Sequence, residues 1–500
     1  MSGNASNNGF IPPPAGEILG HPKALWNLFG SEFWERFMYY GMRAMLAVHV
    51  AAAFFAHFGD KADSKASLTY GGFTSMVYMT GILGGFVADR ILGYQRSIML
   101  GGALMSVGMF MLMAPDLPTF LMGLALIIVG NGMFKPNIST MVGKLYAPSD
   151  VRRDSGFTIF YMGINAGAAL APIICAQIIG EKYGYRWGFL TAGIGMLLGL
   201  MVFYGLRAWL GHVGTAPRGK EGMKPLIQVL VASLLLTVPV YFLLDDSQVL
   251  GTLLLAMMVA MVGWFIYSGI KSGSKEQLHR YIAMLSMFLA CSLFWALFEQ
   301  AGSSLNFLAR DYVQMPTVLG WTPAFTIFQS VNAIFIIMFA PVFALMWPAL
   351  DRSNINPSIP RKFALALVGV AIGFYVLVFA IGNLQDANGK ISWTMLTLCY
   401  LIHTLAELCL SPIGLSMVTK LARPEETGLA MGGWFLSVAG GNYAAGVISY
   451  FATGGGDHAA ASGIDQYSAV FMQLFWIGLI IGTIYFLAAP LLTRLMHGVK

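Results

Sequence analysis

Charged side chains are scarce: Asp, Glu, Lys and Arg make up 10% of the 500 residues, against 57% hydrophobic ones. A water-soluble protein of this length cannot cover its surface with so little charge, so lipid is the expected solvent for most of the chain. Cysteine is scarcer still. Cys175, Cys291, Cys399 and Cys409 all fall in apolar runs, lack the close paired spacing of a zinc or redox site, and read as small packing residues. The first twenty residues are rich in Asn, Gly and Pro, with no cationic start leading into an apolar core; no secretory leader is expected, and the segment reads as a disordered tail. Also missing are a His-Glu-x-x-His helix, a Gly-x-Ser-x-Gly elbow and a Gly-x-x-x-x-Gly-Lys phosphate loop, which makes a membrane enzyme the weaker class of reading.

What the chain has in abundance is apolar sequence. Fourteen runs, each long enough to cross a hydrocarbon core about 30 Å thick, are expected between residues 25 and 492. They include 25–58, 68–88, 281–309 and 392–419. The cations test that count, because Lys and Arg concentrate in cytoplasmic loops. With the N-terminus inside, twenty of the 29 Lys and Arg fall in cytoplasmic segments and six in the opposite loops; the remaining three, Arg36, Arg43 and Lys135, lie within spans. Both termini are therefore expected in the cytoplasm. The formal net charge of +6 is mostly this topology signal, so no nucleic-acid partner is implied.

The predicted fold class is an all-α polytopic membrane protein. Residues 1–24 form a cytoplasmic tail, 25–207 a six-helix bundle, 208–279 a linker with two extra transmembrane helices, and 280–500 a second six-helix bundle with a short cytoplasmic tail. Two six-helix halves rocking about a site near the bilayer midplane is a recurrent transporter plan. The inserted pair, joined at Asp245 and Asp246, has almost no internal polar residues and reads as peripheral to any polar pathway.

Ionisable groups inside spans are costly, so they line polar cavities and pair with one another. The first span carries Glu32, Glu35, Arg36, Tyr39, Tyr40 and Arg43, which at 100° per residue occupy an arc of about 140° on one helix face. A static ion-pair network gluing helices is the competing reading, but four charges and two phenols on one stripe exceed what glue requires. Span four adds Lys135 within Gly130-Asn131-Gly132-Met133-Phe134-Lys135-Pro136, too deep to be an interfacial lysine when Lys144 already marks the span's end. The other half supplies acids: Glu299 after Trp295 in span nine, and Glu407 in span twelve before Ser411 and Pro412, where Pro412 is expected to bend the helix. Acid in one half and base in the other suit a zwitterion. Arg36, Arg43 and Lys135 offer partners for a carboxylate, Glu407 one for an ammonium, and Tyr39, Tyr40, Tyr78, Asn165, Asn332 and Trp434 can line the space. His403 and Glu407 share a helix face four residues apart, but two ligands are a weak metal signal, and no metal is expected. Arg310 and Asp311, at the outer end of span nine, read as gate residues or as an ordinary interfacial pair.

On these residues the chain resembles bacterial members of the proton-coupled oligopeptide transporter family, within the major facilitator superfamily. Glu32, Glu35, Arg36, Phe37, Tyr39 and Tyr40 match the family's Glu-x-x-Glu-Arg-Phe-x-Tyr-Tyr signature. Gly84, Gly85, Ala88, Asp89 and Gly93 resemble a second signature, and Phe160, Tyr161, Ile164, Asn165 and Gly167 a third. Phe294, Trp295, Glu299 and Gln300, and then Glu407, Ser411, Pro412, Gly414, Leu415 and Ser416, match two later spans. The resemblance implies a major facilitator fold with two inserted helices. It also implies proton coupling through Glu32, Glu35, Arg36, Arg43 and Glu299, with Arg43 and Glu299 as a charge pair. Peptide binding would fall to Arg36, Tyr39, Tyr40, Tyr78, Lys135, Asn165, Trp295, Asn332, Glu407, Ser411 and Trp434. Arg36 and Lys135 would take the carboxylate side, Glu407 the free amine, and Asn165 and Asn332 the peptide backbone. Animal members carry a histidine in the second span; here span two has none, so the proton route falls to carboxylates. The short loop from Leu384 to Ile391 likewise matches bacterial rather than animal members.

The expected function is a symporter that imports di- and tripeptides with protons, acting as a monomer in the bacterial inner membrane among lipid, with protons as coupling ion and no cofactor. A carrier of another small anion such as nitrate, as in some plant members, and a peptide sensor without turnover are the alternatives. Glu407 argues against the first, since an anion without an amine gives no reason to bury an acid beside its path.

Overall fold

The computed structural model describes residues 10–147, 149–317, 320–455 and 463–499, and their side chains except those of Ile82, Ser411, Pro412 and Leu415. Helices dominate. In chain order they are α1 (Lys23–Phe54), α2 (Ala62–Met79), α3 (Gly81–Val87), α4 (Tyr94–Met111), α5 (Leu117–Lys144), α6 (Arg153–Ala171), α7 (Glu181–Tyr183), α8 (Tyr185–Gly205) and α9 (Arg207–Leu210). There follow α10 (Met223–Asp245), α11 (Ser247–Lys271), α12 (Lys275–Phe298), α13 (Ser304–Tyr312), α14 (Phe328–Arg352), α15 (Ile359–Asn383), α16 (Trp393–Leu421), α17 (Thr427–Ala452) and α18 (Ile464–Leu495).

Among the described residues, twelve helical stretches are long and apolar enough to cross a membrane. Two further helices, α4 and α17, occupy the other predicted spans but fall short in hydropathy, and both are rich in glycine. The glycines have a packing reason. A Cβ on Gly101 would lie 2.5 Å from the Gly130 carbonyl oxygen, and one on Gly108 2.5 Å from that of Gly123, so α4 and α5 meet backbone to backbone. Within the bilayer, close van der Waals approach replaces the hydrophobic effect as the force joining helices.

Two compact units emerge, Met1–Met42 with Thr80–Phe242, and Arg43–Met79 with Leu243–Lys500. In the first, residues 10–22 are ordered where composition predicts a disordered tail over the first twenty residues; residues 1–9 of that tail lie outside the described residues. β1 (Glu17–Ile18) and β2 (His21–Pro22) pair as an antiparallel hairpin, Arg152 bonds Glu17 at 2.7 Å and the Gly20 carbonyl at 3.0 Å, and His21 Nδ1 lies 2.8 Å from the Tyr146 hydroxyl. Side-chain partners on the α5–α6 loop, invisible to local composition, fix the segment.

In the second unit α2 lies along α17. Cβ atoms on Gly71 and Gly446 would sit 2.6 and 2.8 Å from the opposing Cα, the Ser67 and Ser449 hydroxyls are 2.8 Å apart, and Ser64 donates to the Thr453 carbonyl at 2.9 Å. The predicted single span 281–309 is two helices here. α12 stops at Phe298, a four-residue 3-10 turn from Glu299 to Gly302 follows, and α13 resumes at Ser304. The second small sheet pairs β3 (Val313–Gln314) with β4 (Ile391–Ser392) in parallel.

The inserted helices bury only 22% and 17% of their most apolar windows, as lipid-facing helices do. Asp246 separates them by capping α11, accepting from the Gln248 and Val249 amides at 3.0 and 3.1 Å. At the far end of α11, Trp264 and Ser268 donate to Glu426 at 3.2 and 2.7 Å, Arg423 joins it at 2.9 Å, and the Tyr281 hydroxyl of α12 donates as well. Burial alone would raise the Glu426 carboxyl, but its bonds from Tyr281, Ser268 and Arg423 hold it below its ordinary 4.5. A depressed carboxyl stabilises the fold above its unfolded value, and that contribution is lost as pH falls through the folded value. Glu426→Gln is therefore expected to lower the melting temperature by a few degrees at pH 7, for a loss of about 1–3 kcal/mol. Thermal melts down a pH series should show the native–mutant gap closing below pH 4.5.

Candidate functional site

Chemistry-bearing side chains gather in one cluster in each unit. In the first, α1 turns Glu32, Glu35 and Arg36 inward, where they are 1%, 0% and 3% exposed. Arg36 bonds both acids: its Nε lies 3.2 Å from Glu32 and also pairs with Glu35, whose other oxygen is 2.5 Å from Nη2. α5 supplies Asn131, which donates to Glu35 at 3.0 Å, and one turn later Lys135, close enough to act on Glu32 electrostatically. Tyr39 lies under the Arg36 guanidinium at 5.3 Å, and its ring meets that of Tyr40 edge-on. α6 packs against this face of α1 through Gly167, where a Cβ would lie 3.2 Å from that of Arg36.

Two acids and two cations balance formally. One carboxylate oxygen, Oε2 of Glu32, is buried with no hydrogen-bond partner among the described residues. An oxygen in that position is a natural seat for a proton, and protonation there would leave the cluster with a net positive charge.

In the second unit, Arg43 Nη2 lies 2.7 Å from Glu299 and its Nε donates to the Tyr70 hydroxyl at 2.6 Å. The break between α12 and α13 falls at Glu299, so this acid sits where the helix ladder is interrupted, as at the binding sites of many transporters. On α16, Glu407 is 9% exposed and accepts a 3.0 Å bond from Asn332 of α14. The same Asn332 amide reaches the Thr404 hydroxyl at 3.0 Å, and Arg43 and Glu299 act on Glu407 from a distance. Glu407 has no ion-pair partner among the described residues. His403, one turn away, is spent on the Val370 carbonyl at 3.0 Å rather than joined to Glu407 in a ligand pair.

The remaining predicted residues are more dispersed. Asn165 is buried and donates to the Tyr161 carbonyl of its own helix at 3.0 Å. Trp434 is buried against Gly414, seven residues beyond Glu407 on α16, with Phe288 and Phe363 around it. Trp295 packs edge-on to Phe294 and Phe298, and Tyr78 is half-buried on α2. Ser411 and Pro412 lie on α16, but their side chains are outside the described residues, and the bend expected at Pro412 falls with them. Arg310 bonds its neighbour Asp311 at 2.7 Å and also Asp63 at the start of α2, at 2.6 Å. Sequence reading missed Asp63, Tyr70, Asn131 and Thr404. Asn131 and Thr404 carried a usable signal, lying one turn from Lys135 and Glu407 on the same faces; Tyr70 carried none.

The sequence model of the POT family matches residues 95–464, about three quarters of the chain. The chain belongs to the POT family. This POT-family chain is 34% identical to the peptide transporter YePEPT of Yersinia enterocolitica, covering 98% of each chain. It is 33% identical to the di-/tripeptide transporter of Lactococcus lactis, covering 84% of this chain and 87% of that one. Among solved structures it matches a peptide transporter POT variant in complex with alafosfalin, at TM-score 0.81 and 35% identity, covering 97% and 98% of the two chains. A POT family transporter in complex with 5-aminolevulinic acid matches at TM-score 0.80 and 31% identity, covering 96% and 99%. With those neighbours and its many apolar helices, the POT-family chain is a multi-pass membrane protein of major facilitator fold.

Proposed function

We propose that this protein imports di- and tripeptides together with protons. The observation that carries the reading is Glu407: a buried acid that accepts a side-chain hydrogen bond from Asn332 and has no ion-pair partner among the described residues. Burying an unpaired carboxylate is costly, so the group is held for a partner that arrives, and the partner it fits is an ammonium. Arg36 and Lys135 take the peptide carboxylate, and Asn165 and Asn332 the peptide backbone. The relatives named above carry peptides in their names, and alafosfalin and 5-aminolevulinic acid in the solved neighbours are ligands with a free amine.

Coupling follows from charge balance. Proton uptake by Glu32 leaves Arg36 and Lys135 in surplus and favours carboxylate binding; proton uptake by Glu299 releases Arg43. Glu35, held by Arg36 and Asn131, belongs to the same balance. The biased distribution of Lys and Arg supports cytoplasmic termini in a bacterial inner membrane, which puts the start of α2 outside. On that topology the contacts of α2 with α17 and of Asp63 with Arg310 form the outer closure, and alternating access requires them to part. The functional unit is the monomer.

A binding measurement tests the amine assignment. Dialanine should compete for the purified protein at least about thirtyfold better than N-acetyl-dialanine, the cost of leaving a buried charge unpaired. Glu407→Gln should erase that preference by weakening dialanine alone. Equal binding of the two peptides by the native chain, or unaltered discrimination in the variant, would move Glu407 out of the amine site and reopen the anion reading.

A further inference from the structure

We propose that Tyr70 is a positioning residue for the Arg43–Glu299 pair, and that Gly302 is glycine in order to seat it. Tyr70 is 1% exposed on α2, and its hydroxyl accepts a hydrogen bond from Arg43 Nε at 2.6 Å. Gly302 closes the same four-residue turn that Glu299 opens. A Cβ there would fall on the Tyr70 hydroxyl, while Gly302 has none of the positive φ that would otherwise call for glycine. The hydroxyl end of one phenol thus lies against both the guanidinium of the pair and the backbone of the turn that carries the acid.

The geometry has a consequence for coupling. Arginine and a carboxylate can pair through two parallel hydrogen bonds from Nε and Nη2, but here Arg43 gives Nη2 to Glu299 and Nε to Tyr70, so the phenol occupies that edge of the guanidinium. By holding Nε, the phenol keeps Glu299 from gripping the Nε–Nη2 edge with two bonds and so leaves the pair easier to break. It also keeps a partner on Arg43 when Glu299 takes up a proton, so the guanidinium stays in register for the return step. Without the hydroxyl, Nε is free to turn to the second oxygen of Glu299 and lock the pair. Facing the pair from α16 are the Glu407 carboxyl and the Tyr400 phenol, whose hydroxyl donates to the Ala301 carbonyl of the same turn at 3.2 Å. Gln329 of α14 donates to that carbonyl at 2.6 Å. α17 contributes the Ala445 carbonyl, which accepts from Gln300, and no charged group among the contacts described.

The inference rests on the proton-coupled reading of the pair, and the test separates the two. Dialanine uptake into proteoliposomes is measured across a pH series, both as gradient-driven accumulation and as counterflow, for the native chain, Tyr70→Phe and Gly302→Ala. Tyr70→Phe should move the pH of half-maximal driven uptake down by about one unit, the value of one extra charge-assisted bond in the pair. The ratio of driven uptake to counterflow at neutral pH should fall about tenfold with it. Gly302→Ala, which displaces the same hydroxyl while leaving it in place chemically, should shift the profile in the same direction. An unmoved profile in both variants overturns the assignment, as does a loss of driven uptake and counterflow in equal proportion, which would make Tyr70 a packing residue only. A native chain that accumulates no peptide under a proton gradient overturns the function itself.

Discussion

Glu299→Gln removes the response of dialanine uptake to a proton gradient while exchange of peptide across the membrane continues. The amide keeps the size of the carboxyl and an oxygen for Arg43, 2.7 Å away in the native pair, but it can neither take nor release a proton. Arg43 retains Tyr70 at 2.6 Å, so the expected defect is in coupling rather than in folding. A proton crossing the full potential supplies about 2.3 kcal/mol per 100 mV, enough for roughly fiftyfold accumulation. Accumulation in the variant should fall to unity with the gradient imposed, whereas counterflow stays measurable. Driven accumulation at the native level in Glu299→Gln would take the pair out of the proton path.

The second large effect is steric. Gly71→Leu places a branched side chain where a single Cβ would already meet the Gly446 backbone at 2.6 Å, and backbone cannot retreat as a side-chain end can. If the contact of α2 with α17 is the outer closure, the variant is held open outside. Overpacking of about 3 kcal/mol disfavours the closed state by on the order of a hundredfold. Counterflow should drop by that factor, while dialanine still binds within a few-fold of the native affinity. Counterflow close to native would show that α2 and α17 do not have to meet for transport.

How much of this was legible beforehand depended on whether a signal was periodic. The stripe of Glu32, Glu35, Arg36, Tyr39 and Tyr40 is visible because a helix of known pitch puts it on one face, and the structure gathers it with Asn131 and Lys135. Spans were countable from apolar runs, although α4 and α17 fall short in hydropathy and are joined to their neighbours by close glycine contacts. The pairing of Arg43 with Glu299 came only from family resemblance, because residues 256 apart in sequence share no local pattern. Tyr70 and Gly302 were hidden for the same reason: each is an unremarked member of an apolar helix until the fold sets one on the other. The break at Glu299 was missed because no proline marks it; the turn is fixed by tertiary contacts such as the bonds of Gln329 and Tyr400 to Ala301. The order of residues 10–22 was hidden by a composition that local rules assign to disorder, while their partners Tyr146 and Arg152 lie more than a hundred residues away.

The most direct test of the central claim is uptake of labelled dialanine into proteoliposomes holding the native chain, with the interior more alkaline than the medium and then with the gradient collapsed by a protonophore. Accumulation above the external concentration that vanishes with the gradient is the predicted result. Uptake that only equilibrates, at the same rate in both conditions, would contradict proton coupling.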